Sequence, residues 1–189
     1  MVGARRAKAY SKRKPVVNTR HSKKQQFSYV KMVPSQKIVK FNMGDIQAFE
    51  QGKFNIKMIL GSAENIQIRD LALEASRQSL HKDLTNSLQK NYFLRCNIFP
   101  HNITRNNRVF SGASKGERVQ TGMTLSFGTP EGRTAVVKKG HPVFTVYFNG
   151  ESNIPKVREF FSKVSPKLPC ATKTIVEIIH GFSLSLEVK

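Results

Sequence analysis

A chain of 189 residues is the length of one domain, or of one domain with tails. It carries 32 Lys and Arg against 12 Asp and Glu, a formal net charge of +20, far beyond the surplus that keeps a small domain soluble. Such self-repulsion asks for a polyanionic partner, which disfavours a merely basic soluble protein and leaves nucleic acid first and an anionic membrane surface second.

The charge begins at once. Residues 1–44 hold 12 Lys or Arg and no carboxylate, and the first acid is Asp45. The opening "MVGARRAKAYSKRKPVVNTRHSKK" has few apolar residues and no helical apolar stripe. Alone it cannot offset its ordering entropy, so disorder is expected until it meets a partner. Read as a tail bound to RNA, it offers Arg5, Arg6, Lys8, Lys12, Arg13, Lys14, Arg20, Lys23 and Lys24 to phosphates and Tyr10 to a base. A transit peptide is also basic and acid-poor, but the amphipathic face is missing and Pro15 interrupts the run. "KRK" is a weak match to a nuclear import signal.

Next come the elements. "KIVKFNMG" (37–44) alternates like a strand, and "FNIKMILGS" (54–62) is a second. From Ala63 to about Leu88 the positions Ile68, Leu71, Ala72, Ala75, Leu80, Leu84 and Leu88 predict one long helix after Ser62, with Glu64 in its first turn. "YFLRCNIFP" (92–100) is a strand ended by Pro100. A long loop over 102–132 follows, glycine-rich and electropositive through Arg105, Arg108, Lys115 and Arg118. Loops of this length are functional or disordered, and here the composition suits one that orders against RNA. "TAVVKKGHPVFTVYF" reads as a hairpin turning at Lys139, Gly140 and His141. "NIPKVREFFSKVSP" reads as a short helix burying Val157, Phe160, Phe161 and Val164. "TKTIVEIIHG" reads as a last core strand, and "FSLSLEV" alternates again. There is no internal repeat, and the irregular order of strands and helices points to α+β.

Chemistry is hard to find. "GASKGE" lacks the Lys-Ser/Thr pair of a phosphate-binding loop, and neither GxGxxG nor HExxH occurs. The five histidines are scattered, so no metal site is expected. Cys96 and Cys170 stand far apart without a CxxC. With no secretory signal legible, they are expected as buried, reduced thiols of a cytosolic protein, and the "NIT" pattern at Asn102 as a chance match. No apolar run reaches the ~18 residues of a membrane span. No enzyme and no cofactor are expected. An RNA-acting enzyme would need His101, Glu117 and His141 to gather in a cleft.

Five segments then carry a resemblance in collinear order: "VPSQKIVKFNMG", "ALEASR", "NIFPHNITRNNR", "RVQTGMTLSFGTPEGRTAVVKKG" and "KLPCATKTIVE". Together they resemble the family of large-ribosomal-subunit protein sixteen in the universal scheme, in its archaeal and eukaryotic branch, L-ten-e. The likeness runs from about Ala4 to Glu177. It implies an α+β, α/β-hammerhead-like single domain with two helices on a mixed or antiparallel sheet. The organisation expected is a basic rRNA-binding tail (1–32), a core (33–180) with the long loop 102–132, and a C-terminal tail (181–189). The resemblance further implies a structural constituent of the large subunit of the cytoplasmic ribosome. Its partners would be large-subunit rRNA near the 5S region, A-site and P-site tRNA and neighbouring ribosomal proteins, with no membrane. The loop would reach toward the peptidyl transferase centre and P-site tRNA, with Arg105, Arg108, Lys115, Arg118, Gln120, Thr121, Gly122 and Met123 near the RNA. Thr124 and Thr129 stand where family members often carry a basic residue. A nucleic-acid-binding module outside the ribosome is the alternative that composition alone allows.

Overall fold

The structure, a computed structural model, describes residues 33–106 and 129–179, together with Lys8, residues 10–12 and Val30. Its strands are β1 (Asn42–Gly44), β2 (Ile56–Ser62), β3 (Ile66–Arg69), β4 (Tyr92–Cys96), β5 (Asn102–Asn106), β6 (Thr129–Val137), β7 (Pro142–Phe148) and β8 (Thr172–Ile178). The helices are α1 (Ile46–Glu50), α2 (Asp70–Leu88) and α3 (Ile154–Val164). The fold is α+β, as the sequence predicts, but with three helices rather than two and two sheets rather than one.

The larger sheet runs β1-β4-β7-β2-β8 and the smaller β3-β6-β5, every pair antiparallel. β7 lies inside the larger sheet and is buried on both faces from Val143 to Val146, which is why it reads as an almost unbroken apolar run. β2 alternates: Ile56, Met58 and Leu60 are buried while Lys57 and Ile59 are half exposed. One core joins the two sheets. Leu73, Leu80 and Leu84 of α2 and Val157, Phe161 and Val164 of α3 pack with Phe144, Val146 and Phe148, and the same cluster takes in Ile66, Ile68, Ala135 and Val137 of the smaller sheet. α3 matches its expected span and buried face, with Pro155 in its first turn where a missing N–H costs nothing.

Three expectations about the elements are corrected. The long helix begins at Asp70, because Ile66–Arg69 pairs with β6 as a strand; Leu71 and Ala75 are exposed, and Leu73, Ser76 and Arg77 take their place inside. Two carboxylates orient that helix: Asp70 accepts from the Lys37 N–H (3.2 Å) and Glu74 from the Val39 N–H (3.3 Å), so this flank of α2 is covered by residues 37–39. The turn at Lys139–His141 forms, with Gly140 at φ +82° and the His141 N–H bonded to the Lys138 carbonyl. It is not a hairpin, however. β6 is already paired on both edges by β3 and β5, and β7 by β4 and β2, so the turn passes the chain from one sheet to the other. Ser62 clamps the crossing, donating to His141 O (3.1 Å) and accepting from Gly140 N (2.7 Å). Finally, β8 is an edge strand, not a core strand, with Lys173, Ile175, Glu177 and Ile178 exposed.

Candidate nucleic-acid interface

β5 and β6 are the stem of the long loop. Their ladder runs from Asn102↔Thr134 to Asn106↔Thr129, with a bulge between Thr104 and Arg105 that twists the stem where the loop departs. Arg105, at the end of this ladder, is half-buried. Arg108, Lys115, Arg118, Gln120, Thr121, Gly122 and Met123 lie outside the described residues.

The outer face of the smaller sheet is polar and buried. Gln67 Oε1 accepts from Asn102 Nδ2 and from Thr134 Oγ1, both at 3.0 Å, and Thr104 Oγ1 donates to Gly132 O (3.1 Å). This satisfies groups whose burial would otherwise cost free energy. It also engages the Asn102 amide at 9% exposure, which leaves the "NIT" pattern without a free acceptor.

Tyr10 and Ser11 lie against this face. The Gln67 N–H donates to Ser11 O (2.9 Å), and Tyr10 OH donates to Arg105 O (3.4 Å) across 95 positions of sequence. The Arg69 guanidinium sits 5.5 Å from the Tyr10 ring centroid, and Tyr10 is 5% exposed. Tyr10, expected to offer its ring to a base, is therefore spent inside the protein. Lys8 and Lys12, on either side of it, are exposed. Arg5, Arg6, Arg13, Lys14, Arg20, Lys23 and Lys24 lie outside the described residues. The tail and the loop stem thus meet at one place. Sequence reasoning misses the residues that join them, Gln67 and Arg69, because "IQIR" also fits a helical pattern. Its alternation, apolar Ile66 and Ile68 against polar Gln67 and Arg69, is the available signal. On the opposite face Arg133 Nε donates to Pro34 O (2.7 Å), tying the stem to residues that lead into the body.

Little in this region suits bond-making chemistry. Burial pushes the Cys96 thiol up to about 11 and raises that of Cys170, which is half-buried rather than buried as expected; neither is a ready nucleophile. What the region does offer is positive charge that few acids oppose. Asp45 caps α1 through the Ala48 N–H, Asp70 and Glu74 bind backbone inside, and Glu177 and Glu159 pair with Lys57 and Lys163. Lys8, Lys12, Lys37, Lys40, Arg95, Lys138 and Lys139 remain exposed.

The sequence profile of the family described as "Ribosomal protein L16p/L10e" matches residues 16–175. The chain belongs to the L16p/L10e family of ribosomal proteins. The "Large ribosomal subunit protein uL16" of Pyrobaculum calidifontis is 38% identical over 175 residues, 92% of this chain and 94% of the relative. The protein of that name from Thermofilum pendens is 39% identical over 153 residues, covering 80% and 88% of the two chains. That of Methanospirillum hungatei is 33% identical over 151 residues, 79% and 85%. These relatives are archaeal, consistent with the L-ten-e branch. An L16p/L10e protein is a structural component of the large subunit, and the geometry above is to be understood as that of a scaffold.

Proposed function

We propose that this chain binds large-subunit rRNA near the 5S region and the A-site tRNA elbow, and that its internal loop reaches toward the peptidyl transferase centre and P-site tRNA. Membership in the L16p/L10e family supports the large subunit as its place of work in the cytoplasm, with rRNA and neighbouring ribosomal proteins as partners. The observation that carries the finer reading is the meeting of tail and loop stem at Tyr10, Arg69 and Arg105. Two basic segments far apart in sequence leave the body from one corner, so a single docking event can bring both onto RNA. Arg5, Arg6, Arg13, Lys14, Arg20, Lys23 and Lys24 then neutralise phosphates from the tail, and Arg108, Lys115 and Arg118 from the loop, with residues 120–123 nearest the tRNA.

The test replaces residues 106–120 with a short glycine linker. The core draws nothing from these residues among its described members, and a shorter loop slightly lowers the closure entropy. Subunits reconstituted with the shortened protein should contain it at full occupancy, yet hold P-site tRNA poorly and translate slowly. Normal translation at full occupancy would overturn the role given to the loop. Failure of the intact protein to stay with the large subunit through a high-salt wash would instead favour a nucleic-acid-binding module outside the ribosome.

A further inference from the structure

On the face of the larger sheet's β1 edge, between β1, α1 and the flank of α2, lies an open cavity of about 450 Å3. Single small ligands are held in spaces of roughly 300–1,000 Å3. Its deep end is the buried Met43 and the Glu74–Arg77 ion pair, whose Arg77 Nη1 lies 2.9 Å from Met43 Sδ. Its mouth is formed by the exposed Val39, Lys40, Ile46 and Gln78. His81, half-buried, forms part of the wall.

The hydrogen-bond roles at the wall follow from connectivity. Thr85 Oγ1 donates to the His81 carbonyl (2.7 Å), so the Tyr92 hydroxyl, 2.8 Å from Thr85 Oγ1, donates to Thr85. Tyr92 O, 2.8 Å from His81 Nδ1, is then the acceptor of the Nδ1 hydrogen. The proton of the neutral ring is therefore on Nδ1, and Nε2 keeps its lone pair. Burial, with Arg77 and Lys40 nearby, lowers the pKa of His81, which favours the neutral ring. Gln78 is oriented in the same way. The Glu74 carboxylate only accepts, so the Gln78 amide turns its NH2 to Glu74 Oε1 (2.8 Å), leaving Gln78 Oε1 as an acceptor. The cavity thus presents two neutral acceptors on α2, an apolar surface from Met43, Val39 and Ile46, and one exposed cation, Lys40.

We propose that this cavity is a pocket for one unpaired nucleotide of large-subunit rRNA, whose base carries an exocyclic amine. The amine donates to both His81 Nε2 and Gln78 Oε1, the base plane lies on Ile46 and Met43, and the phosphate faces Lys40. Flipped or looped-out bases are the way RNA sequence is mostly read, since the major groove of an A-form helix is too deep and narrow for side chains and the shallow minor groove is recognised mainly by shape. Two acceptors together favour guanine, adenine or cytosine, whose amino group has two hydrogens to fill both, over uracil, whose single N3–H fills only one. Glu74 and Arg77 close the floor by satisfying each other, so a base need not desolvate a free charge. This inference rests on the proposed attachment to the large subunit.

The experiment uses large subunits carrying the full chain, with p-benzoylphenylalanine at the exposed position of Ile46. Recovery of the protein in washed subunits tests attachment by itself. Irradiation should then cross-link position 46 to a single rRNA nucleotide that is unpaired and is not a uridine. A second preparation carries Lys40→Gln with Gln78→Leu, both at exposed positions. There, acylation of that nucleotide's 2′-hydroxyl should rise about ten-fold, one decade for the removal of a hydrogen bond. Attachment with a cross-link to a protein, to paired rRNA or to nothing would overturn the pocket while leaving the ribosomal role intact. Should the double variant fail to enter subunits, the cross-link from position 46 decides alone.

Discussion

Single residues show how little freedom the body has around this cavity. Gly44 ends β1 at φ +93°, and a Cβ built there would lie 2.1 Å from the Tyr92 carbonyl oxygen, which accepts the Asp45 N–H at 2.8 Å. Neither the backbone angle nor the space admits a side chain. Gly44→Ala should cost roughly 2–4 kcal/mol, since strain and a displaced strand end add. Urea unfolding of the purified protein would measure it, and an unchanged midpoint would refute the close approach. Glu74 and His81 make a second prediction. The Arg77 hydrogen bond holds Glu74 below its ordinary 4.5, against the opposing effect of burial, while burial foremost holds His81 below 6.5. Both folded values are depressed, so the unfolded chain binds each proton more readily. The stability each contributes is complete above its unfolded value and is lost as pH falls through the folded one. Stability should therefore decline first as pH drops below 6.5 and again below 4.5. His81→Asn, which can still donate toward Tyr92 O, should flatten the first step; an identical slope in the variant would show that another group causes it.

Elements are legible where one short pattern decides them. α3 can be read because Pro155 opens it and Val157, Phe160, Phe161 and Val164 repeat at helical spacing on one face. β3 cannot, since four residues before a longer helix share its apolar spacing and only the partner strand β6 decides between the two. α1 is a five-residue turn that Asp45 caps, too short to show a period. The tail is the instructive case. Its composition predicts a segment that adds nothing to the body, yet Tyr10, Ser11 and Val30 are buried, at 5%, 5% and 1% exposure. No apolar stripe announces this, because the surface that Tyr10 and Ser11 cover is the polar face of Gln67, Asn102 and Thr134 and is held by backbone bonds and one aromatic ring. The candidate interface is legible as a sum of charges and illegible as a place for the same reason. Tyr10→Ala should then lower the thermal midpoint of the isolated protein by roughly 4–8 °C, as expected for about 2 kcal/mol in a chain of this size. Deleting residues 1–12 should do at least as much. A calorimetric midpoint unmoved by either change would make the tail a tether only.

At the scale of the whole molecule the excess of cations lies outside, because the two buried carboxylates are matched by the two buried guanidiniums of Arg69 and Arg77. Asp70 and Glu74 are buried, and Asp45, Glu159 and Glu177 are each engaged with a partner. Of the described carboxylates only Asp70 and Glu74 are withdrawn from the surface, while the tail before Asp45 has none at all. A protein so built gains from any polyanion that replaces its own missing counter-charge, and part of that gain is entropic, through cations released from the RNA. The charge can also be counted by experiment. If tail, loop and body together neutralise about 8 phosphates, log K for an rRNA fragment should fall against log[salt] with a slope of roughly −6 to −7. Removing residues 1–30 takes away nine of the cations before Asp45. The slope should then become shallower by nearly one unit for each phosphate no longer neutralised, whatever the effect on folding. The two effects of the tail separate here: loss of Tyr10 alone should move the thermal midpoint and leave the slope unchanged. A slope near zero with affinity intact would mean that forces other than charge hold the protein on RNA, and the account of its +20 would have to be abandoned.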